Sequence, residues 1–186
     1  MNTLKNYSNL LSIIGLTVLI LIFTTYIFPH FDIKKVDGGL ESLDIRSSYS
    51  PADVNSLFQA LGLSGIVFYK KILIVDMLFP LIYGLWFILV LRLLQKNMGR
   101  LGKLTAWVAW FPVATVLLDF TENINTWLML SSFPKIQYAA IHFGSVVTGL
   151  KWYGISICVG LVVCALLAVI LRNTLWKWKN KFQLLK

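Results

Sequence analysis

The stretch from Leu10 to Phe28 is nineteen residues long and carries no charged side chain. At about 1.5 Å per residue, a helix of this length spans the hydrocarbon core of a bilayer. The rest of the chain has the same character, because 58% of its 186 residues are hydrophobic and only 13% are charged. A soluble domain of this size leaves about 30% of its surface in water, which requires more polar residues than this chain has. The composition therefore excludes a soluble globular protein and also a disordered one.

Three further apolar stretches are separated by turn signals and basic residues. We therefore predict an all-α, polytopic membrane protein in which residues 1–186 form a single membrane domain, a four-helix transmembrane bundle. The helices are predicted at about 10–28, 64–95, 104–130 and 138–171, with an outer loop at 29–63 and a basic cytoplasmic tail at 172–186. Pro80 and Pro112 lie inside the second and third predicted helices and should kink them.

The predicted outer loop contains its own helix signal. Ser50 is a typical N-cap residue, Pro51 is suited to the first helical position, and Gly62 is a typical stop. Between them the apolar residues follow helical spacing, at Val54, Leu57, Phe58 and Leu61. This pattern predicts a short amphipathic helix that forms a small extracytoplasmic cap.

The basic residues are distributed unevenly along the chain. Ten of the seventeen lysines and arginines fall on the N-terminal segment, the turn between the second and third helices, and the tail. Six fall on the opposite side, and Lys151 is left within the fourth helix. The positive-inside rule therefore predicts a multi-pass protein of the plasma (inner) membrane with both termini in the cytoplasm.

Three acidic residues and one lysine interrupt the predicted helices: Asp76, Asp119, Glu122 and Lys151. All four residues lie about 22 to 30 Å from the cytoplasmic ends of their helices, near the outer boundary of the hydrocarbon. An unpaired charge at this depth is costly, so we expect the four side chains to meet. Helical spacing supports this, since Thr115, Asp119, Glu122 and Thr126 form one polar stripe.

Several kinds of chemistry fit this polar layer. Asp76, Asp119, Glu122 and Lys151 are candidate catalytic residues, because neighbouring carboxylates can serve as general acid and base beside a stabilising lysine. Candidate ligand-binding residues nearby are Asn123, Tyr83, Thr148 and His142. The alternatives are cation binding by the carboxylates, a proton or ion relay in transport, and an ion-paired layer that only fixes helix packing. The two histidines lack zinc-site spacing, no metal site is predicted, and no cofactor is assigned.

The functional prediction follows from the position of the layer. A polar pocket near the outer leaflet suits a lipid or an amphipathic small molecule, which the protein would bind or act on; whether it is an enzyme stays open. The alternatives are a structural membrane subunit and a small cation- or proton-coupled transporter. The bilayer itself is one expected partner. Tryptophan and lysine alternate from Trp176 to Lys179, so anionic lipid headgroups are the expected partners of the tail. Nucleic acid is not expected to bind. No motif assigns the chain to a family.

Overall fold

The computed structural model describes residues 2–31 and 41–183, and the side chains of residues 9–31 and 41–174. These residues form helices and turns and no strand, which confirms the all-α class. The helices are α1 (Asn2–Ile22), α2 (Pro51–Asp76), α3 (Phe79–Lys96), α4 (Arg100–Leu104), α5 (Phe111–Ser132) and α6 (Tyr138–Gln183). A π-helical turn (Phe23–Ile27) and a last helical turn (Phe28–His30) extend α1, and 3-10 turns lie at Leu43–Ile45 and Ala106–Trp110.

Three helical segments in the described ranges are long and apolar enough to cross a membrane, namely Asn9–His30, Pro51–Lys96 and Tyr138–Thr174. Helix α5, which carries the polar stripe, falls outside this set. The prediction of membrane-spanning helices is therefore supported for the first, second and fourth predicted segments.

Helix α2 begins at Pro51, so the short helix predicted within the outer loop and the start of the predicted second helix form one helical element. Ser50 and Asp53 form the reciprocal cap: Ser50 N donates to Asp53 Oδ2 at 2.7 Å, and Asp53 N donates to Ser50 Oγ at 3.3 Å. The predicted amphipathic helix is confirmed, since its four apolar residues, Val54, Leu57, Phe58 and Leu61, are all buried. Gly62 interrupts α2 with φ +58° and ψ −172°, a conformation open essentially to glycine alone.

Two prolines shift the predicted helix boundaries. The predicted second helix is divided between Asp76 and Phe79, because Pro80 has no N–H for the carbonyl of Asp76 and its ring crowds the preceding turn. The third helix begins at Phe111 instead of residue 104, with Pro112 in its first turn, where the missing N–H does no harm. The fourth helix continues to Gln183, beyond the predicted end at residue 171. The side chains of the tail after residue 174 lie outside the described ones.

Close helix packing surrounds α5. A Cβ atom on Gly84 of α3 would lie 2.3 Å from Val116 Cγ2, and one on Gly154 of α6 would lie 2.8 Å from Thr115 Oγ1. Both glycines therefore let a neighbouring helix approach α5. At one end of the bundle, α2 packs over the 43–49 segment and the facing ends of α5 and α6, in a cluster that includes Leu43, Tyr69, Met129 and Ile141.

Replacement of Gly62 by alanine should destabilise the protein through backbone strain alone. The added Cβ would meet no atom within 4 Å, so the cost comes from the positive φ and is about 1–3 kcal/mol. Gly160→Ala is the matched control, because that helical site is equally open and has an ordinary φ. We expect thermal unfolding in detergent to show a lower Tm for Gly62→Ala and an unchanged or higher Tm for Gly160→Ala. Equal Tm values for the two variants would contradict the strain argument.

Candidate functional site

Two carboxylates of the predicted layer are joined through one asparagine. Asn123 Nδ2 donates to Asp76 Oδ2 at 3.0 Å and reaches Asp119 Oδ1 at 3.5 Å. Tyr83 Oη donates to the other oxygen of Asp119 at 2.8 Å. Helices α2, α3 and α5 thus bring four of the predicted residues together, and all four are buried.

The third carboxylate forms a separate buried ion pair. Lys151 Nζ of α6 lies 2.5 Å from Glu122 Oε2, and Thr148 Oγ1 donates to Glu122 Oε1 at 2.6 Å. Glu122 and Thr148 are inaccessible to solvent, and Lys151 is 5% exposed. The ammonium neutralises this carboxylate directly, which is the arrangement that a charge in apolar surroundings requires.

The segment before α2 is held against this layer by its backbone. Lys151 Nζ and Trp152 Nε1 both donate to the carbonyl oxygen of Asp44, at 3.2 and 2.9 Å. Tyr69 Oη accepts from Leu43 N at 3.0 Å. Nearby, burial raises the pKa of Tyr49 to about 12, so this hydroxyl keeps its proton at neutral pH.

A cavity of about 450 Å³ opens beside the carboxylates. Its polar lining comes from Asp76, Tyr83, Asp119 and Lys151, together with Ser42 and Asp44 of the preceding segment. The rest of the wall is mostly aromatic and aliphatic: Thr24, Phe28, Pro29, Phe31, Ile45, Ile72, Phe79, Trp152 and Ile155. An apolar cavity of this volume with a few convergent polar groups is the usual form of a small-molecule site.

The predicted site residues therefore separate into three sets. Asp76, Asp119, Tyr83 and Lys151 line the cavity, whereas Glu122, Asn123 and Thr148 are buried without lining it and hold the lining residues in place. His142 does not belong to the site. It is exposed, because it lies two residues before Gly144 and so points away from the buried face of α6.

Cation binding by the carboxylates, one of the alternatives, would need several of them to converge on one ion. Within the described part of the chain, no three His, Cys, Asp or Glu side chains converge closely enough to hold a metal ion. The three carboxylates do not converge because they have different partners. Glu122 pairs with Lys151, whereas Asp76 and Asp119 accept hydrogen bonds from Asn123 and Tyr83.

Sequence reasoning missed the contributions of α1 and of the segment before α2. Phe28 and Phe31 follow the π-helical turn at the end of α1, and such turns often occur at functional sites, but this one has no sequence signature. Asp44 accepts a hydrogen bond from Lys151 through its backbone carbonyl oxygen. Every residue possesses this atom, so the sequence gives no signal for the contact. Trp152 could have been identified from its position next to Lys151.

The buried ion pair predicts non-additive effects of substitution. Glu122→Gln and Lys151→Met each leave the opposite group without its partner, at a cost of about 3–5 kcal/mol. The double variant removes both charges, so its Tm in detergent should lie well above the value expected from summing the single effects. Strictly additive Tm losses would show that the two groups do not depend on each other.

The comparisons with known proteins provide no relative to guide assignment. No protein-family model matches the chain, and no curated protein or solved structure matches it.

Proposed function

We propose that this chain is a four-helix, multi-pass protein of the plasma (inner) membrane whose cavity binds a lipid or an amphipathic small molecule near the outer leaflet. The observation that carries the proposal is the cavity itself, in which a largely aromatic and aliphatic wall meets two buried carboxylates, a tyrosine hydroxyl and a lysine. An amphiphile has the same division into a polar head and an apolar body.

The polarity of α5 supports its assignment as a further membrane span, the third along the chain. Its acidic residues are buried, with Asp119 at 4% exposure and Glu122 at 0%, whereas Leu117 and Leu128 are 60% and 59% exposed. A surface helix of a soluble protein has the opposite arrangement. Lipid around this helix explains why its charged residues turn inward and find partners there.

The contacts at one end of the bundle support the predicted orientation. An Arg172 guanidinium nitrogen donates to the carbonyl oxygen of Asn97, which brings the end of α6 to the basic turn after α3. At the same end the Arg92 guanidinium lies 4.6 Å from the Trp110 ring centre, and Trp107 is 72% exposed. Exposed tryptophans are typical of either membrane interface, and clustered basic residues are typical of the cytoplasmic one.

Cysteine labelling tests this orientation. In a background with both native cysteines replaced by alanine, Ser48→Cys and Asn97→Cys each place a thiol at an exposed position on opposite sides of the proposed membrane. We expect a membrane-impermeant maleimide to label Ser48→Cys in intact cells, and Asn97→Cys only after permeabilisation. The reverse pattern would invert the topology, and labelling of both positions in intact cells would contradict a membrane span at Pro51–Lys96, which lies between them.

Blocking the cavity tests the binding function. Ile155 lines the cavity, whereas Ile157 on the same helix is 48% exposed on the outer surface, so Ile155→Trp and Ile157→Trp make the same change in two environments. We expect mass spectrometry to find a stoichiometric amphiphile co-purifying with the wild type and with Ile157→Trp, and at least about tenfold less with Ile155→Trp. If the two variants retain the same amount, the cavity is not the binding site.

A further inference from the structure

We propose that the occupant of this cavity carries an ammonium head: the cavity selects cationic amphiphiles over neutral and anionic ones. This inference rests on the proposed function and adds the class of ligand to it. Its basis is the balance of charge around the cavity, the incomplete hydrogen bonding of Asp76, and the aromatic side chains beside the carboxylates.

The charges of the described residues that line the cavity do not balance. Three of these residues are acidic, namely Asp44, Asp76 and Asp119, and among the described lining Lys151 is the one cationic residue. The Lys151 ammonium is already paired at 2.5 Å with Glu122, which lies behind the wall. Tyr83 and Asn123 donate hydrogen bonds to the lining carboxylates but carry no charge. A positively charged head would therefore complete the charge balance of the site.

Asp76 has room for a further hydrogen-bond donor. Its side chain is 8% exposed, and one carboxylate oxygen accepts from Asn123 Nδ2 at 3.0 Å. No described residue donates a hydrogen bond to the other oxygen of Asp76, although the residue lines the cavity. An ammonium N–H is a donor of the kind that a buried carboxylate binds most strongly.

Aromatic rings stand next to these carboxylates. Phe79 packs edge-to-face on Phe28 at 5.0 Å and on Tyr83 at 5.5 Å between ring centres, and all three line the cavity. Trp152 and Phe31 add two more rings to the wall. Aromatic faces attract organic cations, and alkylated ammonium groups are recognised by aromatic side chains. The combination favours an organic ammonium over a bare metal ion, for which the described residues offer no converging ligand set.

Competition among amphiphiles of equal chain length tests the inference on the wild-type protein. The full chain is purified in a non-ionic maltoside, and radiolabelled dodecylamine is the tracer. Dodecylamine, dodecanol and dodecanoate compete, with Ile155→Trp defining nonspecific uptake and Ile157→Trp as its control. We expect dodecylamine to compete at least about tenfold better than dodecanol or dodecanoate. Equal or better competition by dodecanol or dodecanoate, still lost in Ile155→Trp, would overturn the ammonium preference and leave the binding site intact.

Charge removal provides the second readout. Asp76→Asn and Asp119→Asn should each lower dodecylamine affinity at least about tenfold and change dodecanol affinity less than about twofold. Asp53→Asn removes an acid outside the cavity and should change neither affinity. An unchanged dodecylamine affinity in folded Asp76→Asn and Asp119→Asn proteins would overturn the inference. If Ile155→Trp alters the uptake of no probe, the proposed binding function fails, and the inference fails with it.

A last competitor identifies the source of the ammonium. Lysophosphatidylethanolamine carries the same group beside a phosphate. Its competition at the dodecylamine level would assign the cavity to a lipid headgroup. Competition by dodecylamine alone would assign it to a free single-chain amine. Both results retain the ammonium preference.

Discussion

Three polar side chains that α5 buries find their partners on three different neighbouring helices, and this requirement organises the structure. Asp119 accepts from Tyr83 of α3, Glu122 pairs with Lys151 of α6, and Asn123 donates to Asp76 of α2. An unpaired polar group in apolar surroundings costs several kcal/mol. The three contacts therefore fix both the rotation of α5 and the height of its neighbours, which apolar packing against lipid would leave less well defined.

The cavity lies where two helices depart from regular geometry. Helices α2 and α3 are separated at Met77 and Leu78, directly after Asp76, and α1 passes through a π-helical turn at Phe23–Ile27. Both departures lie in or beside the cavity wall, which includes Thr24, Asp76 and Phe79. The interruptions therefore border the space beside the carboxylates.

The parts of this structure that sequence predicted are those encoded by spacing. Steps of three and four residues placed Thr115, Asp119 and Glu122 on one face, and the Ser50 cap with the Gly62 stop identified the helix between them. The features that the sequence could not predict depend on the rotation of each helix and on contacts made by backbone atoms. The division of the acids into two groups is set by how α5 turns between its neighbours, and the carbonyl of Asp44 has no signature in its side chain.

The wall of the cavity is assembled from side chains between Thr24 and Ile155, contributed by α1, α2, α3, α5, α6 and the segment before α2. No pair of adjacent helices could form it, so the pocket exists after all of them have associated. A ligand that binds the assembled cavity and not the separate helices stabilises the folded protein by mass action. This stabilisation grows with the logarithm of the ligand concentration. Cellular supply of that ligand would then influence how much newly made chain survives quality control as a completed bundle.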